Sequence, residues 1–280
     1  MTYTRFLSSI PLFFLLLVCY HSLFFFNLII IHIFSFITMW EFLRIKKFSE
    51  SSINLSSNLI ENNNLLTRKK ICGFSYLVIF FTQLILFFSE KGNFFFLVFL
   101  IGCLIYFLYK IKIYIVNFFF LIFLYLMLPF YTLVSLTFLP YFGDLLLLIL
   151  VVVISTDIGA YFSGNALGGP KILKKISPNK TVSGVLGGFL LAICSSLFFF
   201  PQDSNLIFNF IILIFLLSLC SQVGDFLESY FKRRYKLKES SNLIPGHGGL
   251  LDRIDGFLLI LNVIFLLNLI NFEFIFFFDV

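Results

Sequence analysis

Residues 206–231 read LIFNFIILIFLLSLCSQVGDFLESYF, and residues 232–255 continue with KRRYKLKESSNLIPGHGGLLDRID. The first run is apolar and longer than the roughly 20 residues that a helix needs to cross a bilayer. The second run is polar, basic and rich in glycine. Charge is costly next to lipid unless another group uses it. The two runs together predict a membrane-spanning helix that leads into a loop with a chemical role.

The composition extends this prediction to the whole chain. Of its 280 residues, 60% are hydrophobic, 44 are Phe and only 12% are charged, and the mean hydropathy is +1.03. These values lie outside the range of soluble domains. We therefore predict an all-α, polytopic integral membrane protein with about nine transmembrane helices. The predicted spans are 6–20, 22–42, 71–89, 93–109, 113–138, 144–163, 182–200, 206–231 and 255–277.

The basic residues indicate how the protein is oriented. On the nine-helix interpretation they collect on one side of the membrane, and only Lys91 falls on the other. The positive-inside rule then places the N-terminus and the basic loops in the cytoplasm, which predicts a multi-pass protein of the cell inner membrane. The net charge of +6 faces anionic lipid headgroups and nucleotides there. We expect no nucleic-acid partner, because these cations belong to short loops between spans.

The chain divides into two regions of different character. Residues 1–140 are predicted to form an N-terminal transmembrane region with little chemistry. Residues 141–280 form the predicted catalytic transmembrane region, since most glycines and charged groups of interest lie beyond Ile154. The five cysteines lie in or beside apolar segments without a CxxC pair, so no zinc site is predicted.

The first group of candidate residues lies between positions 155 and 188. Asp157 is close to the cytoplasmic end of an apolar helix, where an unpaired carboxylate is a functional candidate. Lys180 and Thr181 stand where the next helix begins, and the N–H groups and dipole of a helix start favour an anion. They are therefore candidates to bind a nucleotide phosphate. The alternative is an ordinary helix start, followed by glycines that let helices pack closely.

The second group begins on the quoted apolar helix. Asp225, Glu228, Ser229 and Lys232 recur at spacings of three or four residues and share one helix face. Two acids and a serine on one face suggest a buried cation site. An ion pair between Glu228 and Lys232 is the alternative.

A second acidic pair follows the glycine-rich loop. Asp252 and Asp255 fall on one face at the start of the last predicted helix, directed at the same layer of the membrane. Arg253 and His247 add donors that suit either a phosphate or these carboxylates. Carboxylates for a divalent cation and cations for phosphate oxygens are the parts of a phosphoryl or nucleotidyl transfer site.

The spacing of these residues resembles the signature of the phosphatidate cytidylyltransferases, or CDP-diacylglycerol synthases. The positions that fit are Ser229, Lys232, Arg233, Lys238, Pro245, Gly246, His247, Gly248, Gly249, Asp252, Arg253 and Asp255. Glu239 stands where that family usually has Asp. Upstream, Asp157 and the Ser177 to Gly184 segment also resemble the family, although Val182 and Ser183 replace an aromatic residue and a Glu or Gln.

The resemblance implies a nucleotidyltransferase of phospholipid biosynthesis that converts CTP and phosphatidate into CDP-diacylglycerol and pyrophosphate. It implies magnesium, with potassium as a neighbouring ion, and the bilayer as the source of the lipid substrate. The catalytic candidates are Lys232, Arg233, Asp252, Asp255 and His247. The substrate-binding candidates are Asp157, Lys180, Thr181, Ser229, Lys238 and Arg253. The metal-binding candidates are Asp225, Asp252 and Asp255. A homodimer is one option for the assembly.

Two other functions remain open on the sequence alone. A CTP-dependent polyprenol or lipid-alcohol kinase is also polytopic, but it transfers the γ-phosphoryl group to a hydroxyl. A cation-coupled transporter would use Asp157, Asp225 and Asp255 as a relay.

Overall fold

The computed structural model describes residues 24–53, 125–126, 128–173, 177–199, 207–234, 237–244 and 248–269. The predicted spans 6–20, 71–89 and 93–109 lie outside these residues, and so does the candidate His247. The described chain is mostly helical. Its elements are α1 (Phe24–Ile53), α2 (Leu128–Leu136), α3 (Phe142–Leu167), β1 (Lys171–Leu173), β2 (Ser177–Thr181), α4 (Val182–Ser196), a 3-10 turn (Leu197–Phe199), α5 (Ile207–Arg234) and α6 (Leu251–Leu269).

Three stretches of the described chain are long and apolar enough to cross a membrane. They are Phe142–Leu167, Val182–Phe199 and Ile207–Arg234. They coincide with the predicted spans 144–163, 182–200 and 206–231, and confirm a helical membrane protein. The helix α6 begins four residues before the predicted span 255–277. The total of nine spans stays a prediction, because the described residues do not cover the other spans completely.

A short β-hairpin interrupts the predicted all-α pattern. Strands β1 and β2 pair antiparallel, with Lys171 opposite Thr181 and Leu173 opposite Ser177. The hairpin lies between α3 and α4. It returns the chain from the end of one membrane helix to the start of the next.

Glycines set how closely α3 and α4 approach each other. A Cβ atom added to Gly159 would lie 2.5 Å from the carbonyl oxygen of Gly187, and one added to Gly184 would lie 2.9 Å from the carbonyl oxygen of Ala160. Both distances are too short for a side chain. Small residues at the interface of membrane helices allow such close packing, so the packing interpretation of these glycines is confirmed.

A second glycine contact joins α5 to α6. A Cβ atom on Gly224 would lie 2.6 Å from the carbonyl oxygen of Asp255, and one on Gly256 would lie 2.5 Å from Oγ of Ser221. The backbones therefore nearly touch where the acidic residues of the two helices begin. Further along α6, Leu258, Leu261 and Ile264 are fully buried in the apolar core. This contact places the two predicted acidic groups side by side.

Candidate active site

The carboxylate of Asp252 connects α5, α6 and the loop between them. Its Oδ1 accepts a hydrogen bond of 2.8 Å from Nζ of Lys232, and its Oδ2 accepts bonds of 3.0 Å from the Ser240 N–H and 2.9 Å from the Gly249 N–H. Burial acts to raise the pKa of Asp252, but its hydrogen bonds and the charge of Lys232 outweigh burial and leave that pKa below its ordinary value. Asp252 is thus held as an anion at neutral pH.

The loop before α6 needs a glycine at position 248. Gly248 has a φ of +83°, in the left-handed region that side chains disfavour. A Cβ atom there would also lie 2.6 Å from Oδ2 of Asp252. Glycine at position 248 of the signature therefore has a structural cause, because it lets the backbone pass close to this carboxylate.

Lys232 is shared by two buried acids. Its Nζ lies 2.5 Å from Oε2 of Glu228 and 2.8 Å from Oδ1 of Asp252. The ion pair between Glu228 and Lys232, which was the alternative to a cation site on this helix face, is present, and the structure adds Asp252 as a second partner. The side chain of Glu228 is only 3% exposed, and neither of its oxygens makes a hydrogen bond of good geometry. This buried carboxylate therefore depends on Lys232 for compensation.

The hairpin brings the first group of candidate residues to α5. Lys180 of β2 forms an ion pair with Asp225, and its Nζ lies 4.4 Å from the ring centroid of Phe226. Ser229 donates a hydrogen bond of 3.3 Å to the other oxygen of Asp225. Two groups of residues that are far apart in sequence therefore meet at this point.

Two further acids interact electrostatically with this pair. Asp157 on α3 interacts with Asp225, Lys180 and Arg253. Asp255 on α6 interacts with Asp225 and Asp157, and its Oδ1 accepts a bond of 2.8 Å from the Gly256 N–H. The site is thus a convergence of carboxylates from α3, α5 and α6, with Lys180 on the hairpin side.

Other candidate residues have more local partners. Thr181 Oγ1 accepts a bond of 3.1 Å from the Gly184 N–H and so caps α4, which supports the ordinary helix-start interpretation. Arg233 donates 3.0 Å to the carbonyl oxygen of Leu237. Lys238 and Arg253 are exposed. Phosphate binding by these four residues stays a prediction.

The donor chemistry of the site fits magnesium. Magnesium prefers oxygen ligands and commonly takes one or two protein carboxylates, with substrate phosphates and water completing its shell. Within the described ranges, no group of three or more His, Cys, Asp or Glu side chains is arranged to hold a metal ion. Metal binding by Asp225, Asp252 and Asp255 therefore stays a prediction. In that prediction, substrate oxygens complete the ligand shell of the ion.

One residue of this region, Glu41, was not predicted from the sequence. Glu41 on α1 is fully buried, and it accepts hydrogen bonds from Ser241 in the loop and from Leu251 at the start of α6. The position of Glu41 inside the predicted span 22–42 could have identified it as a candidate, because unpaired carboxylates are costly in membrane helices. Nothing local in the sequence indicates its partners, which lie about 200 residues away.

The chain is similar to a known protein family over most of its length. A family model described as "Cytidylyltransferase family" matches residues 3–270. The chain belongs to the cytidylyltransferase family. This membership confirms the resemblance found in the signature residues.

Curated members of the cytidylyltransferase family show the same relationship. The phosphatidate cytidylyltransferase of Brucella suis is 44% identical over 122 residues, which are 42% of this chain and 44% of the relative. That of Bacillus subtilis is 44% identical over 119 residues, with the same shares of 42% and 44%. That of Rickettsia bellii is 40% identical over 150 residues, or 50% of this chain and 64% of the relative. The chain thus matches about half the length of these curated relatives.

Removal of Lys232 is expected to destabilise the protein. In Lys232→Met, Glu228 and Asp252 lose their shared cation, and breaking a buried ion pair from one side costs about 3–5 kcal/mol. Thermal unfolding in detergent micelles should show a clearly lower Tm. The double variant Glu228→Gln/Lys232→Met should recover part of the loss, because it also removes one stranded charge.

The matched control is Lys171→Met, which removes a cation from an exposed position of β1. Its Tm should stay near the wild-type value. An unchanged Tm in Lys232→Met would contradict the shared ion pair.

Proposed function

We propose that this protein is a phosphatidate cytidylyltransferase, which forms CDP-diacylglycerol and pyrophosphate from CTP and phosphatidate. The observation that carries the proposal is the contact between Lys232 and Asp252. It joins both ends of the signature in one buried cluster where α5 and α6 meet. Membership of the cytidylyltransferase family supports it, as do the names of the curated relatives.

The proposed reaction needs charge control more than a strong base. An oxygen of the phosphatidate phosphate attacks the α-phosphorus of CTP, and the bond from that phosphorus to the β-phosphate oxygen breaks, which releases pyrophosphate. The attacking phosphate is already ionised, so little deprotonation is required. The difficulty is to bring two anions together and to stabilise the leaving pyrophosphate. Cations held in fixed positions in a site that excludes water can do both.

Two lysines have different parts in this proposal. Lys180 lies at the hairpin beside α5, is about a quarter exposed and pairs with Asp225. We assign it to the incoming triphosphate. Lys232 is more buried and balanced by two acids, so it sets the local charge and keeps Asp252 in place. Arg233, at the end of α5, is assigned to the phosphates with Lys238, and His247 and Arg253 remain candidates on the loop and α6.

Magnesium is part of the proposal. Asp225, Asp252 and Asp255 would hold it together with substrate oxygens, and Ser229 with Asp255 would hold a neighbouring potassium ion. When bound, magnesium neutralises phosphate charge and stabilises the departing pyrophosphate. Asp157 is proposed to complete the polar wall on the α3 side, with Thr181 at the start of α4.

The setting of the reaction is proposed to be the cell inner membrane. The N-terminus and the active site would face the cytoplasm, where CTP is found, and phosphatidate would enter sideways from the bilayer. Exposed apolar side chains on α4 and the turn after it, such as Leu186, Leu190 and Phe198, are compatible with lipid around this helix. We also propose that the protein forms a homodimer and that it has no nucleic-acid partner.

Position-specific labels test the reaction directly. Purified protein with phosphatidate, magnesium and CTP labelled at the α-phosphate should move the label into chloroform-soluble lipid. With CTP labelled at the γ-phosphate, the label should appear in pyrophosphate and not in lipid. Asp252→Asn is the control for a contaminating enzyme and should form no labelled lipid.

Transfer of the γ-label to a lipid alcohol would instead show a lipid kinase. No transfer from either label, together with cation-driven flux in vesicles, would favour the transporter.

The same assay tests the metal. A chelator should abolish activity and magnesium should restore it. Asp225→Asn and Asp255→Asn should each raise the magnesium concentration for half-maximal activity by about 10- to 100-fold, the scale of losing a metal ligand or its close support. Asp144→Asn, which changes an exposed acid in the first turn of α3, is the matched control. Activity in chelator, or equal effects of all three variants, would contradict the metal assignment.

A further inference from the structure

A buried glutamate on α1 contacts the loop between α5 and α6, although the reaction proposed above does not involve this residue. Glu41 has 0% of its surface exposed. Its Oε1 accepts bonds of 2.6 Å from Ser241 Oγ and 2.9 Å from the Leu250 N–H. Its Oε2 accepts bonds of 2.7 Å from the Leu251 N–H and 3.3 Å from Ser240 Oγ. Four donors thus converge on one carboxylate.

The donors come from both ends of the loop. Ser240 and Ser241 lie near its start, while Leu250 and Leu251 lie where α6 begins. The N–H groups of a first helical turn have no partner within the helix, and they favour an anion. Glu41 supplies that anion from a different helix. Hydrogen bonds to a charged acceptor are about twice as strong as neutral ones, so this contact fixes the entry of α6.

The same loop is held on its other side by Asp252. Ser240 contacts both carboxylates, because its N–H donates to Asp252 and its hydroxyl donates to Glu41. Gly249 lies between them: its N–H donates 2.9 Å to Asp252, and a Cβ atom on it would lie 2.6 Å from Oε1 of Glu41. The position of the Asp252 carboxylate is therefore coupled to that of Glu41.

We propose that Glu41 is a positioning residue of the transferase site. It holds Ser240, Ser241 and the start of α6 so that Asp252 stays in contact with Lys232. The proposal rests on the transferase function argued above. It also assigns part of the active-site support to the N-terminal region of the chain.

Two variants test the role of Glu41. Glu41→Gln removes the charge and places an NH2 group against N–H or hydroxyl donors. The double variant Ser240→Ala/Ser241→Ala keeps Glu41 and its bonds to α6 but removes two donors, so it provides a milder change if Glu41→Gln fails to fold. Thr38→Val is the matched control, because Thr38 is also fully buried on α1 and its hydroxyl donates only to carbonyl oxygens of α1.

The first measurement is hydrogen exchange and needs no activity. In Glu41→Gln the amides of Leu250 and Leu251 should exchange faster by on the order of tenfold, as expected for loss of a charge-assisted hydrogen bond. In the double serine variant the loop amides from 240 to 244 should exchange faster. Amides of α3 should be unchanged in both variants, and Thr38→Val should match the wild type throughout.

The second measurement separates positioning from general stability. Glu41→Gln should lower kcat by about 10- to 100-fold while KM for CTP stays close to the wild-type value, because the groups that bind nucleotide are intact. The double serine variant should show a smaller drop in kcat at a Tm near that of the wild type.

Several outcomes would overturn the role of Glu41. They are unchanged exchange at Leu250 and Leu251, faster exchange with a wild-type kcat, or a loss confined to KM. A wild-type protein that makes no CDP-diacylglycerol would overturn the transferase function and, with it, the positioning role. The hydrogen-exchange measurement would then show separately whether Glu41 holds the loop.

Discussion

A carboxylate that leaves water beside a lipid bilayer must be compensated by cations or N–H donors, and Asp252 meets this constraint with both. Lys232 approaches from α5, and the Ser240 and Gly249 N–H groups approach from the loop. The donors come from α5 and from two positions of the loop, so one side chain at the start of α6 holds these segments together. Because Lys232 is also the compensating cation of Glu228, the charge balance of α5 depends on the same contact.

The glycines and Glu41 make this contact possible. The backbones of α5 and α6 approach closely at Gly224 and Gly256, which brings Lys232 within reach of the first turn of α6. Glu41 then binds the loop from α1. The charged cluster therefore depends on small residues, which let α5 and α6 come close together, and on a buried acid, which holds the loop in place. Polar groups with a function in membrane helices are expected to pair with other polar groups in this way.

Much of the fold could be predicted because membrane helices are specified by local properties. Hydropathy and length placed α3 and α5 within a few residues of their observed ends. Helical periodicity placed Glu228 and Lys232 on one face, with their ion pair as the alternative to a cation site. The hairpin of β1 and β2 was not predicted, since three- and five-residue strands leave little periodic signal. Glu41 was missed because its partners lie about 200 residues away, and a contact of that range comes from packing and not from a local pattern.

The meeting of Lys180 with Asp225 connects the two groups of candidate residues, and it is the point where nucleotide should bind. The most direct test is a structure of the protein in lipid nanodiscs with magnesium and a non-hydrolysable CTP analogue. We expect the triphosphate to lie beside Lys180, and carboxylates of α5 and α6 to hold the ion. A triphosphate bound away from Lys180, Asp225 and Asp255 would contradict it.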